Sequence, residues 1–298
     1  MKVVITGATG FVGVNLQEYL KTLFDLESLS VRYKENQKFD LSTDAIIHLA
    51  GKAHDLKKVS IPEDYYEANF ELTKQLFDSF LQSSATVFIF ISTVKAVADK
   101  VNGILTEDTI ANPKTHYGIA KRQAEEYILG KKLPKEKRVY ILRPCMIHGP
   151  DNKGNLNLLY KLVSKGLPWP LGAFRNQRSF LSIENLCFVI KELLEQITIP
   201  SGVYNVADDD FLSTNELIMI LGVSLEIKVR IFKIPVKLIK FIATAGNSLK
   251  LPLNTETLQK LTENYRVSNK KIINAIGSPL PISSQEGMKI TFISFKQK

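Results

Sequence analysis

Residues 6–13 read T-G-A-T-G-F-V-G, set between the apolar run Val3-Val4-Ile5 and the segment Asn15-Leu16-Gln17-Glu18-Tyr19-Leu20. Glycines stand at 7, 10 and 13, three apart. Glycine accepts positive φ and lets a second backbone or a ligand come close. A strand, a glycine turn and a helix start together make a phosphate cradle, because the first turn of a helix has free N–H groups and the positive end of the helix dipole. An ordinary strand-to-helix turn can carry the same G-x-x-G-x-x-G spacing. Residues further along the chain therefore have to decide between the two.

Apolar, β-branched runs alternate with helical patterns. Strands are expected at Lys2–Thr6, Ser28–Arg32, Ala45–Leu49, Thr86–Ser92 and Val139–Arg143, with a further one at Gly202–Ala207. Helices are expected at Gly13–Thr22, Pro62–Ser83, Tyr117–Leu129, Asn155–Lys165 and Ile183–Gln196. Strands separated by helices imply βαβ units and an α/β fold with a doubly wound parallel sheet. Ligands in such sheets sit at the carboxyl ends of the strands. After about residue 150 the rhythm changes, with loop signals at Pro150-Asp151-Asn152-Lys153-Gly154 and Leu167-Pro168-Trp169-Pro170-Leu171-Gly172. The expected division is a sheet domain over 1–150, with 181–207 returning to it. A smaller, mostly helical lobe would come from 151–180 and 208–298.

The chain has 298 residues, 45% hydrophobic and 23% charged, enough for a sizeable core. Its net charge is +9, but the basic residues are scattered with no basic run interleaved with aromatics, so no nucleic-acid partner is expected. An anionic small substrate accounts for the sign equally well. Met1 leads almost directly into a strand, no apolar run reaches membrane-spanning length, and Cys145 and Cys187 form no motif. A cytoplasmic protein without stable membrane insertion, disulfide or metal is expected. Ile231–Leu249 is apolar with spaced lysines, a pattern that could touch a membrane surface, and the expectation is a packed helix whose lysines face water.

The strand ending in Ser92-Thr93 is followed about two dozen residues later by Tyr117-Gly118-Ile119-Ala120-Lys121. Tyrosine and lysine at i and i+4 share one helix face. A phenol can give a proton to a developing alkoxide, and a nearby ammonium draws its pKa toward working pH. A neighbouring hydroxyl, Thr93, can bond the same substrate oxygen. Ten tyrosines in a chain this rich in lysine give about one Y-x-x-x-K pair by chance, and Tyr127–Lys131 is a second. Tyr117 opens a helix after a proline-containing loop, whereas Tyr127 sits at that helix's end.

Five motifs occur in order: T-G-A-T-G-F-V-G, H-L-A-G at 48–51, I-S-T at 91–93, Y-G-I-A-K at 117–121 and L-R-P-C-M-I-H-G-P at 142–150. Together they resemble the extended short-chain dehydrogenase/reductase family of nucleotide-sugar epimerases, dehydratases and reductases, over nearly the whole chain. The resemblance implies a Rossmann-type sheet binding NAD or NADP. It implies that Gly7, Gly10 and Gly13 hold the pyrophosphate, with backbone from Phe11 and Val12, and that Leu49, Ala50 and Gly51 line the nicotinamide-side ribose. Thr93, Tyr117 and Lys121 become the catalytic set, Tyr117 and Lys121 also binding the cofactor and Thr93 also contacting the substrate. His48 and Asn69 are expected to be structural, and His148 has no assigned chemistry. A homodimer through the Pro62–Ser83 and Tyr117–Leu129 helices is what the family implies.

Arg32-Tyr33-Lys34 follows Val31 where an acidic residue would bind a ribose 2′-OH, and an arginine there suits the 2′-phosphate of NADP. Asp40 resembles the family's adenine-contacting aspartate, and the helix usual between the second and third strands looks trimmed. Val94-Lys95 stands where the family's 4,6-dehydratases carry Asp-Glu, which disfavours dehydration. A 4-ketoreductase and a 4-epimerase both fit. S-T-V-K and Lys153-Gly154-Asn155-Leu156 resemble a subgroup that includes reductases of UDP-4-keto-6-deoxy-N-acetylhexosamine, used for bacterial surface polysaccharides. By the same resemblance Lys95, Asn155 and Arg178 contact a UDP-sugar, with Arg175 and Arg266 as weaker candidates; an arginine fork matches phosphate oxygens. Asp208-Asp209-Asp210 is expected to be a solvated turn. A non-catalytic NADP-sensing protein on the same fold is the remaining alternative, because fold does not fix function.

Overall fold

Val3-Val4-Ile5 is apolar and β-branched without a break, as suits a strand covered on both faces. In the computed structural model, which describes residues 1–53, 61–152, 156–248 and 253–297, it forms strand β1 (Lys2–Thr6). Then come helix α1 (Phe11–Leu20), strands β2 (Asp25–Leu29) and β3 (Ala45–His48), helix α2 (Pro62–Tyr66), a π turn (Glu67–Glu71) and helix α3 (Leu72–Gln82). Strand β4 (Val87–Ile91), the short β5 (Ile104–Leu105), helix α4 (His116–Leu129) and strand β6 (Arg138–Pro144) complete the first half. The second half runs β7 (Met146–His148), α5 (Leu156–Ser164), β8 (Phe180–Ser182), α6 (Ile183–Glu195), β9 (Gly202–Val206), α7 (Thr214–Leu225) and α8 (Val236–Ser248). It ends with α9 (Thr255–Thr262), β10 (Arg266–Val267), α10 (Lys270–Ile276) and α11 (Ser284–Ser294).

Six parallel strands form the main sheet in the order β2-β1-β3-β4-β6-β9. The order reverses between β1 and β3, which opens a crevice at their carboxyl ends. Alternate residues of each strand feed opposite faces. Ile5, Ile47, Ile89 and Leu142 pack against Leu16 of α1 and Leu186 of α6, while Ile46, Phe88, Phe90 and Ile141 pack against Phe77 and Phe80 of α3 and Ile128 of α4. Each such large side chain contributes roughly 1.5–3 kcal/mol of burial. A separate core, with Trp169, Phe180, Leu217, Ile239, Leu258 and Phe292, holds the C-terminal helices together.

Two elements differ from the pattern read in the sequence. The second strand is Asp25–Leu29 rather than Ser28–Arg32: it pairs with β1 from Lys2↔Asp25 to Thr6↔Leu29 and stops there. As an edge strand it is half-exposed and polar, so no apolar run marks it. The expected single helix Pro62–Ser83 is divided by its π turn, a feature that widens one helical turn. Between β2 and β3 there is neither helix nor strand; buried Leu41 and partly buried Phe39 cover the sheet there instead.

Candidate active site

The crevice is built first by the glycine turn. Gly7 lies at φ 69°, and a Cβ on it would stand 2.7 Å from the Ala50 nitrogen, so the turns after β1 and β3 touch through it. A Cβ on Gly13 would stand 2.7 Å from the backbone of Ala8. Gly10 caps α1 and no side chain caps that end. The first intrahelical bond runs from the Val14 N–H to the Gly10 carbonyl at 2.9 Å, which leaves the Phe11, Val12 and Gly13 amides ahead of it. An uncapped, amide-rich helix end at a sheet's switch point fits a pyrophosphate. Gly7→Ala is expected to cost about 1–3 kcal/mol, from left-handed backbone and overpacking against Ala50. Urea denaturation should show the midpoint fall with the slope unchanged.

The turn after β3 is pinned from below. The Ala50 N–H donates to Thr6 Oγ1 at 3.2 Å, and Thr6 lies 2.7 Å from His48 Nδ1. On the other side Thr73 donates to the Asn69 carbonyl at 2.9 Å, so it must accept from His48 Nε2–H, 3.0 Å away. That fixes the tautomer: Nδ1 accepts from Thr6 and Nε2 carries the proton. Burial, aided by the positive charge of Lys121, holds the imidazole at a pKa of about 3. Asn69, set by the π turn, bonds both backbone groups of Lys52 at 3.1 Å and the Tyr65 carbonyl at 2.9 Å. Both side chains are committed to bonds within the fold.

His48 also gives a pH dependence. Its folded pKa lies below its unfolded value of 6.5, so the unfolded chain takes up a proton that the folded chain refuses. Stability from this group is intact above about pH 6.5 and is lost as pH falls toward 3. The loss is about 1.4 kcal/mol for each pH unit. Denaturation midpoints of wild type and His48→Gln, compared between about pH 6 and 4.5, should show the steeper fall in wild type.

Thr93 ends the β4 strand tip and accepts from the Lys95 N–H at 3.2 Å. Thr115 caps α4 by accepting from the Gly118 N–H at 3.2 Å, which sets Tyr117 in the first turn. The Tyr117 hydroxyl is hydrogen-bonded to Thr93. Burial pushes this phenol up to about 12, and the Thr93 bond pulls it only partly back. The expected lowering by an ammonium is thus absent: desolvation dominates, and Lys121 turns its Nζ to the Ile91 carbonyl at 2.8 Å. Burial brings Lys121 down to about 7, opposed by the charge of Glu125. A Cβ on Gly51 would lie 3.3 Å from Lys121 Nζ, so the lysine and the turn after β3 are neighbours. Tyr127 instead bonds both oxygens of Asp78 at 2.8 Å, with no hydroxyl partner like Thr93.

Beneath this set lies a charge cluster whose carboxylate, Glu125, no sequence motif flagged. Glu125, one turn beyond Lys121, is fully buried and accepts from Arg143 through two bonds at 2.9 and 2.6 Å. It also accepts from the Ser92 hydroxyl at 2.5 Å. The i+4 spacing from Lys121 was visible in the chain, but its partners come from two other strands.

On the lobe side Lys95 and Arg178 come together, close enough that the arginine's charge lowers the lysine's pKa, although burial is the larger cause. Lys95 is half-buried, 4.5 Å from the Tyr265 ring centre, and donates to the Asp99 carbonyl at 2.8 Å. Arg178 donates to the Lys260 carbonyl at 2.8 Å. Arg175 is exposed, and Arg266 is tied to the Gly103 carbonyl at 3.1 Å. Arg32 and Asp40 are exposed; Arg32 lies three residues beyond the end of β2 instead of closing it. Asn155 lies outside the described residues.

Asp208 corrects the expectation of a solvated turn. It is buried and accepts from the Ser182 N–H at 3.0 Å and from the Asn185 side-chain amide at 2.7 Å. Among the described residues no group of three His, Cys, Asp or Glu is placed to hold a metal ion. His148 is buried with Nδ1 2.8 Å from Thr291 Oγ1.

Residues 3–207 match the NAD dependent epimerase/dehydratase family. The chain is 30% identical to the UDP-glucose 4-epimerase of Vibrio cholerae, over 99% of this chain and 95% of that one. It is 30% identical to the UDP-2-acetamido-2,6-beta-L-arabino-hexul-4-ose reductase of Pseudomonas aeruginosa, over 53% of this chain and 38% of that one. The structure of RMD from Pseudomonas aeruginosa complexed with NADPH has the same fold, with a TM-score of 0.73 at 20% identity and coverage of 100% and 99%. The chain therefore belongs to the NAD dependent epimerase/dehydratase family, the extended short-chain dehydrogenase/reductase enzymes that its motifs resemble.

Proposed function

We propose that this enzyme reduces the C4 ketone of a UDP-4-keto-6-deoxy-N-acetylhexosamine with NADPH, a step toward a surface polysaccharide. The observation that carries this is the state of Tyr117, a neutral phenol hydrogen-bonded to Thr93. Ketone reduction begins by needing a proton donor, and a phenol held near 12 is protonated at any working pH. NADPH, when bound, supplies the hydride. Thr93 steadies the C4 oxygen, Tyr117 gives it the proton, and the resulting phenolate regains one from water. Val94 is buried and Lys95 is tied to Asp99, so neither residue after Thr93 supplies the second acid–base pair that dehydration needs.

The Gly10–Gly13 amides fit the cofactor pyrophosphate, with Gly7 keeping the two turns close. Leu49, Ala50 and Gly51 line the nicotinamide-side ribose, with Lys121 beside Gly51 to bind its hydroxyls. Arg32 suits the 2′-phosphate, since residues 29–34 carry no carboxylate; Asp40 would meet the adenine. Lys95 and Arg178, converging from the two lobes, face the UDP pyrophosphate, and Asn155 is carried to the same sugar nucleotide by the motif resemblance.

A 4-epimerase is the second reading, favoured by similarity to a UDP-glucose 4-epimerase along the whole chain. Purified protein is denatured and the supernatant assayed for nicotinamide dinucleotide. Empty protein that oxidises NADPH when given the 4-keto sugar supports the reductase. Near-stoichiometric NAD, with interconversion of UDP-glucose and UDP-galactose, replaces it with the epimerase.

A further inference from the structure

Helix α8 has three faces. Ile239 and Ala243 are buried in the C-terminal core, together with Gly246. Lys237 and Lys240 are exposed on a second face. The third face is apolar yet uncovered: Leu238 is 50% exposed, Phe241 72% and Ile242 40%, followed by exposed Ala245. Their i, i+3, i+4, i+7 spacing makes one apolar stripe, running beside the lysines and turned away from the buried edge. A helix packed only to finish its own core would carry polar residues here.

The charge along the segment that carries the stripe has one sign. Residues 227–248 hold five Lys or Arg (Lys228, Arg230, Lys233, Lys237 and Lys240) and no Asp or Glu. All five are exposed. None of them forms an ion pair among the described residues. Thirteen residues span about 20 Å, too short to cross a bilayer but long enough to lie along one. No helix among the described residues is long and apolar enough to span.

We propose that this face of α8 docks in the plane of an anionic lipid bilayer, with Leu238, Phe241 and Ile242 entering the headgroup boundary and the flanking cations facing lipid phosphates. An apolar stripe with lysines at its side is the pattern of an interfacial helix, and both parts of it are needed for binding. A second copy of the chain fits less well, because a two-fold contact would set the same lysines against themselves. The assignment rests on the surface alone and is independent of the C4 chemistry. Its consequence is that the lobe carrying Arg178 works next to the membrane.

Flotation with vesicles tests this on the full chain. Vesicles of phosphatidylcholine and phosphatidylglycerol, at about 7:3, are compared with phosphatidylcholine alone. Binding at low salt is expected to be at least about 10-fold tighter on the anionic vesicles and to weaken as salt is raised. Phe241→Glu and the pair Lys237→Glu/Lys240→Glu should each reduce it at least about 10-fold, while thermal midpoint and NADPH binding stay at wild-type values. No binding to anionic vesicles overturns the proposal, as does binding that both variants retain. A dimer that Phe241→Glu turns into a monomer, without any loss of vesicle binding, assigns the face to self-association and overturns it as well.

Discussion

Tyr117→Phe is expected to lower turnover by about 100- to 10,000-fold, the usual weight of a positioned general acid. The substitution removes one oxygen and leaves the half-buried ring in place. Thr93 loses a partner but keeps its bond from the Lys95 N–H at 3.2 Å, so the strand tip remains anchored. Dinucleotide affinity should hold within a few-fold, because the proposed pyrophosphate and ribose sites rest on backbone and on Lys121 and the substitution takes only one hydroxyl from Tyr117's own proposed contact with the cofactor. The fall should therefore appear in kcat rather than KM. Single-turnover NADPH oxidation beside a dinucleotide titration separates the two. Unchanged turnover would remove Tyr117 from the chemistry and leave a binding protein on an enzyme fold.

Glu125→Ala is expected to destabilise the fold by about 3–5 kcal/mol, a large part of a typical domain's stability. The cause is the Arg143 guanidinium, which loses both carboxylate bonds while buried among strand ends. Ser92 loses its acceptor in the same change. Replacing both charges, as in Glu125→Leu with Arg143→Met, should recover most of the loss, since an apolar pair of similar volume leaves no charge stranded. Urea midpoints of the two single variants and the double variant give the cycle. Additive losses would show that the pair is not coupled. The same glutamate raises the pKa of Lys121. Its removal should therefore also leave that lysine less protonated near neutrality.

The motifs were legible because each is a local solution to a local problem. Gly7 and Gly13 leave room that a Cβ would fill, and Thr115 caps the helix that carries Tyr117 and Lys121 on one face. The central strands were equally plain, since Val3–Ile5 and Val87–Ile91 are buried on both sides and therefore apolar throughout. Strand Asp25–Leu29 was displaced in the sequence pattern because an edge strand with one neighbour needs no such run. Whether the stripe of α8 is covered was left open for a different reason: apolar spacing tells that a face exists, not whether anything covers it.

The fold class is a consequence of short-range patterns that the chain alone carried, and the i, i+4 spacing of Tyr117 and Lys121 on one helix was legible in the same way. What burial does to those groups is a property of the packed molecule. Desolvation moves Tyr117 to about 12, Lys121 to about 7 and His48 to about 3, and it depends on atoms from segments far apart in sequence. Glu125 meets Arg143 and Ser92, and Asp208 meets Ser182 and Asn185, only because strands and helices converge there. Spacing along the chain reports periodicity. Which charge ends up dry, and beside which partner, is set by how distant segments close around it.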